Sequence, residues 1–159
     1  MDTATYLEAI ALIERLHREF LEVVKIELET LGIRDVNNVQ ALMLFNIGDA
    51  EMTVGELTSR GCYLGSNVSY NVKKMVESGY LEAGRSEHDL RSIHVKLTKK
   101  GLNLRGQLRD MHSRHADMLA TSRITAADLQ STTAMLQQLE RFWIEAGNPF
   151  GRVQSVQAR

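Results

Sequence analysis

The sequence predicts a mainly α-helical fold that carries one small β-hairpin. Three observations lead there. A run from about Thr5 to Leu31 lacks Gly and Pro and repeats apolar residues every three or four positions. After Tyr80 the period shortens to alternation, and beyond Thr98 helical spacing returns. The 159 residues suffice for one domain with a sizeable core and are too few for two ordinary ones. Hydrophobic residues make up 43% and charged residues 25%, the balance of a folded chain rather than a disordered one.

In the first segment Leu7, Ile10, Ile13, Leu16, Phe20, Val24, Leu28 and Leu31 mark one helical face. Such a helix is about 40 Å long at its fixed rise per residue. That exceeds the usual globular helix and predicts a surface shared with a second subunit. Gly32 is its expected C-cap. A second helix fits Asn37–Ile47, with Val39, Leu42, Met43 and Ile47 on the inner side and Gly48 closing it. Thr53 and Glu56 have the spacing of a capping box and open a short third helix. Gly61-Cys62-Tyr63-Leu64-Gly65 reads as a turn, and Ser66–Ser78 as a fourth helix with Val68, Val72, Met75 and Val76 inward and Gly79 as its stop. Leu81–Arg85 and Ser92–Leu97 read as short strands around the charged tip Ser86–Arg91. Thr98 caps a fifth helix running toward Met118, with Leu102, Leu104, Leu108 and Met111 apolar. Thr125 caps a last one carrying Leu129, Met135, Leu136, Leu139, Phe142 and Trp143. Residues 147–159 read as a tail.

Three helices followed by a hairpin, in that order, make a winged helix-turn-helix. The net charge of −1 hints at no partner, but its distribution does: residues 1–59 carry a net −7, residues 60–105 a net +5 and residues 106–159 a net +1. A basic working surface on an acidic support suits a nucleic-acid partner. The fourth helix turns Ser66, Asn67, Ser69, Tyr70, Asn71, Lys73 and Lys74 outward. Asn and Ser hydrogen-bond base edges, while Lys and Tyr reach phosphates, so this is the inventory of a recognition helix. An ordinary amphipathic helix with a solvated face has the same spacing. The hairpin tilts the balance: Arg85 and Arg91 flank its tip, and Arg91 has Asp89 two residues before it. A wing arginine can enter the minor groove, where the negative potential attracts guanidinium, and Asp89 can orient it through a charge-assisted hydrogen bond. The plainer reading of that pair is a surface ion pair contributing about 0–1 kcal/mol. Lys96, Lys99, Lys100 and Arg105 continue the positive charge past the hairpin.

From Glu56-Leu57 through Gly79-Tyr80-Leu81 the chain resembles, without a gap, the helix-turn-helix of MarR-type regulators. Asp89-Leu90-Arg91-Ser92, followed by Leu97-Thr98-Lys99-Lys100-Gly101, is similar to that family's wing signature. The resemblance implies dimerisation helices at 1–32 and 99–146 and a DNA-binding lobe at 36–98. It also implies a homodimer on a near-palindromic double-stranded operator, of which it is often a repressor, released by a small molecule or a stress signal. By the same transfer Asp89 and Arg91 take the wing role, and Ser66, Asn67, Ser69, Tyr70, Asn71 and Lys73 the major-groove role. Tyr70 stands where many relatives carry Arg, and the turn at 61–65 is unusually rich in glycine. The run Asn67-Val68-Ser69-Tyr70-Asn71 is similar to a branch linked to cell-envelope genes such as L,D-transpeptidases.

Other features carry less. Cys62 is the only cysteine; it precludes an internal disulfide and reads as a small packing residue before it reads as a redox sensor. His112 and His115 have a spacing compatible with one metal, but solvated surface histidines are the simpler reading, and no metal or cofactor is expected. His17 reads as a partly buried histidine, and Phe142 and Trp143 as interface core. The chain holds no phosphate-loop, dinucleotide, zinc-protease or serine-hydrolase motif, so no enzyme is expected. No apolar run is long enough for a membrane span and no signal peptide opens the chain, so a cytoplasmic protein is expected. The rival to DNA binding is a winged-helix interaction scaffold, which has no reason to segregate basic residues onto the hairpin and recognition helix.

Overall fold

The computed structural model describes residues 2–61, 65–85 and 92–147, without the side chains of residues 60, 61, 65 and 66. The order is α1 (Thr3–Thr30), α2 (Asn38–Ile47), β1 (Met52–Thr53), α3 (Val54–Gly61), α4 (Gly65–Glu77), β2 (Leu81–Arg85), β3 (Ile93–Leu97), α5 (Lys99–Ala120) and α6 (Ala126–Gly147). The mainly α class with its hairpin is observed, with one addition: β1 pairs with β3, so the strand order is β1-β3-β2, all antiparallel. Two residues are too few to show a period, which is why Met52 and Thr53 escape a sequence reading. Of the predicted turn at 61–65, Gly61 belongs to α3 and Gly65 to α4, and residues 62–64 lie outside the described residues.

Local chemistry fixes the element ends. At the end of α1 the Gly32 N–H donates to the Glu29 carbonyl and the Ile33 N–H to the Leu28 carbonyl, with Gly32 at φ +70°. This is a Schellman closure, and it requires the left-handed conformation that glycine adopts without strain. The same pattern ends α4: Gly79 donates to Val76, Tyr80 donates to Met75, and Gly79 sits at φ +77°. Capping boxes open three helices. The Asn37 side chain accepts from the Gln40 N–H at 2.9 Å while Gln40 Oε1 accepts from the Asn37 N–H at 3.0 Å. Thr53 and Glu56 exchange the equivalent bonds at 3.0 and 2.7 Å, and Thr125 and Asp128 at 3.2 and 2.9 Å. Each such cap contributes on the order of 1 kcal/mol.

The described residues fall into two compact units, residues 1–112 and residues 113–159. In the first unit Val24 and Leu28 of α1, Met43, Leu44 and Ile47 of α2 and Leu57 of α3 meet Val68 and Met75 of α4, Val95 of β3 and Leu104, Leu108 and Met111 of α5 in one core. Burying each of these larger side chains stabilises by roughly 1.5–3 kcal/mol. Asn38 docks α2 onto α1 through a 2.9 Å bond to the Leu21 carbonyl. In the second unit α6 has no buried residue within the single chain and exposes Met135, Phe142 and Ile144. Within the first unit α1 likewise exposes Leu7, Leu16 and Ile26.

Candidate nucleic-acid interface

The inner stripe of α4 is Val68, Val72 and Met75, all buried, with Val76 packed against the core. That spacing leaves Asn67, Ser69, Tyr70, Lys73 and Lys74 exposed on the other side, and Tyr70 is 61% accessible. Ser69 and Lys73 flank a groove of about 360 Å³ between α4 and the hairpin, floored by Val72, Ala83 and Ile93. Arg85, at the end of β2, is exposed opposite Ile93 of β3. Lys74 is paired with Glu77 at 3.0 Å; their hydrogen bond and mutual attraction raise the lysine's pKa and lower the carboxylate's. The Ser66 side chain, Asp89, Arg91 and Cys62 lie outside the described residues.

Asn71 differs from its neighbours on α4. It is half-buried; its Oδ1 accepts from Gln40 Nε2 at 3.1 Å and its Nδ2 donates to the Asn67 carbonyl at 2.8 Å. Gln40 is 7% exposed and is the one buried polar residue among those described. The residue went unmarked in the sequence reading, although the Asn37-x-x-Gln40 pattern is a legible capping signal.

A second polar cluster holds the far end of α4. The Tyr80 hydroxyl donates to Asp35 at 2.7 Å, and Lys100 Nζ donates to the other Asp35 oxygen at 2.5 Å and to the Ser78 carbonyl at 2.9 Å. The ammonium also lies 4.1 Å from the centre of the Tyr80 ring. Partial burial works against ionisation of Asp35, but the bonds from Lys100 and Tyr80 outweigh it and hold the carboxyl below its usual range. Burial, reinforced by the Asp35 carboxylate, raises the Tyr80 phenol. The Thr98 hydroxyl donates to the Gly79 carbonyl at 2.7 Å and accepts the Gly101 N–H at 3.1 Å. The Leu97-Thr98-x-x-Gly101 motif is thus a clamp between the start of α5 and the end of the recognition helix.

Much of the positive charge that follows the hairpin is engaged internally. Lys96 pairs with Glu82 at 3.1 Å, Lys100 with Asp35, and Arg105 with Asp49 while lying 5.8 Å from the Phe45 ring. His112 is not the solvated histidine of the simpler reading: it is half-buried, stacked on Phe20 at 5.9 Å and edge-on to Phe45 at 4.9 Å. Among the described residues no three of His, Cys, Asp or Glu are grouped as metal ligands. His17 is exposed within the single chain. No described helix is long and apolar enough to cross a membrane.

A helical lobe, a polar-faced helix and a β-hairpin that follows it define the class of winged-helix DNA-binding proteins. Residues 36–101 match the family model described as a winged helix DNA-binding domain. The transcriptional activator of exopolysaccharide II synthesis ExpG from Rhizobium meliloti is 35% identical over 139 residues, 87% of this chain and 72% of the relative. Among solved structures, FabT of Streptococcus pneumoniae in complex with DNA superposes with a TM-score of 0.71 at 19% identity, over 89% of this chain and 99% of that one. A mutant MarR from E. coli complexed with operator DNA gives 0.70 at 20% identity, over 87% and 99% of the two chains. The chain belongs to the MarR-type winged helix-turn-helix regulators of transcription.

Proposed function

We propose that this regulator acts as a homodimer that lays α4 of each protomer in the major groove of a near-palindromic operator, about one DNA turn apart. The observation that carries the reading is the division of α4 into a buried apolar stripe and an exposed face of Asn67, Ser69, Tyr70, Lys73 and Lys74. Asn67 and Ser69, with Ser66, supply base contacts; Lys73, Lys74 and Arg85 supply phosphate contacts. Arg91, oriented by Asp89, supplies the wing contact in the minor groove. The exposed apolar residues of α1 and of α6 support the dimer, since large uncovered patches of this kind mark association surfaces. The protein works in the cytoplasm without catalysis, and a small-molecule effector tunes it.

Two observations support target genes that act at the cell surface. The Asn67–Asn71 run resembles a cell-envelope branch, and the named relative activates exopolysaccharide II synthesis. That relative favours activation over the repression expected from the sequence. The test is a gel shift of the purified chain on DNA upstream of its own gene and of surface-polysaccharide genes, across a salt series. Saturable binding that resists competitor DNA and weakens steeply with salt is expected. Binding indifferent to sequence at every salt concentration would instead favour a scaffold. Transcription in vitro from the bound promoter, with and without the protein, fixes the sign of control.

A further inference from the structure

We infer that Asn71, although it sits on the recognition helix, is a positioning residue: through its pairing with Gln40 it sets where α4 presents its base-reading side chains. The inference rests on the proposed operator reading and refines it.

An asparagine that reads adenine directly needs its carbonyl oxygen and its amide nitrogen together, one to accept from N6 and one to donate to N7. Both are committed in Asn71. Oδ1 holds Gln40 Nε2 at 3.1 Å, and Nδ2 holds the Asn67 carbonyl at 2.8 Å. Gln40 is in turn fixed at its other end, because Oε1 accepts the Asn37 N–H at 3.0 Å within the cap of α2. Each bond in this chain joins a donor to an acceptor, which defines both amide orientations. Pulling Asn71 outward would strand the Gln40 amide in a site only 7% exposed, and buried groups left without partners are costly. The neighbouring Asn38 ties the same end of α2 to the Leu21 carbonyl of α1. The recognition helix is therefore referenced to α1 through the first turn of α2.

The test uses the full chain carrying Gln40→Met, Asn71→Ala or both, with two readouts. The first is affinity for a set of operators substituted one base pair at a time. Each single variant is expected to bind about tenfold more weakly at all positions alike, since one bond between two helices is lost in either case. The double variant is expected to lose less than the sum of the two singles, because the Gln40–Asn71 bond is removed in both, while the Asn37 bond goes only with Gln40 and the Asn67 bond only with Asn71. Loss of preference at one base pair in Asn71→Ala, with wild-type binding in Gln40→Met, would overturn the inference, as would additive losses. The second readout is hydrogen exchange of the α4 amides in the free protein, expected to accelerate in both variants and needing no DNA. Unchanged exchange overturns the pairing role; acceleration in a chain that binds no operator would leave the pairing standing and remove the operator reading. Asn71 is only half-buried, so Asn71→Ala carries both readouts even where Gln40→Met fails to fold.

Discussion

Gly101 offers the sharpest test of the packing beneath the recognition helix. A Cβ added there would overlap the Tyr80 carbonyl oxygen and approach the Leu97 side chain to 3.2 and 3.3 Å. That carbonyl cannot withdraw freely, because it accepts the Thr98 N–H at 3.1 Å. Forcing a methyl into a packed site costs about 1–3 kcal/mol, and a lost hydrogen bond about 0.5–1.5 kcal/mol. Replacing glycine by alanine in a helix returns about 1 kcal/mol. Gly101→Ala is thus expected to destabilise by roughly 1–3 kcal/mol, a fall of roughly 3–10 °C in midpoint for a chain of this size. Gly106, in the same helix, has nothing within 4 Å of its added Cβ. Gly106→Ala should therefore keep the propensity gain and stabilise by up to about 1 kcal/mol. Thermal and urea unfolding of both variants at one protein concentration measures the difference. Equal responses of the two, or a Gly101→Ala chain as stable as wild type, would refute the close approach as the reason for glycine.

Three further outcomes are expected. Arg91→Ala should weaken operator binding at least tenfold with an unchanged circular dichroism spectrum, if the wing reads the minor groove as the sequence resemblance implies; unchanged affinity removes the wing from the mechanism. Asp35 has a folded pKa below its unfolded value, so its contribution is fully present above about pH 4 and is lost as pH falls through the folded pKa. The midpoint of Asp35→Asn should accordingly fall less than wild type between about pH 4 and 2, and parallel curves would contradict the shift. Phe142, 55% exposed in one chain, should tolerate Glu in a monomer but not in a dimer interface. Sedimentation of Phe142→Glu should show half the wild-type mass, and an unaltered mass excludes α6 from the interface.

The fold was readable because its signals are periodic or punctuated. The inward sets of α1 and α4 repeat at helical spacing, and Gly32, Gly48 and Gly79 stand where positive φ angles are needed. The Thr53–Glu56 box is local, so four residues of sequence suffice to see it. β1 has no period to show, and its partner Val95 lies more than forty residues away. The same distance hides the charge pairs. Lys100 reads as part of a basic surface until the fold brings Asp35 to it, and Arg105 until Asp49 closes on it.

Asn71 shows why composition of a helix face is a weaker guide than its periodicity. Spacing places it outward with Asn67 and Lys74, and its residue type suits adenine, so nothing on α4 alone separates it from a base reader. The decisive partner, Gln40, lies 31 residues earlier on α2 and owes its own orientation to the Asn37 cap. Ser78 repeats the case at the other end of α4: its carbonyl is taken by Lys100, which is set by Asp35 in the segment before α2. Polar residues that orient a reading helix and polar residues that read share one chemistry. What separates them is whether their donors and acceptors are already satisfied, a property of pairs across elements, and so the reading face of α4 narrows to the side chains that the lobe leaves uncommitted.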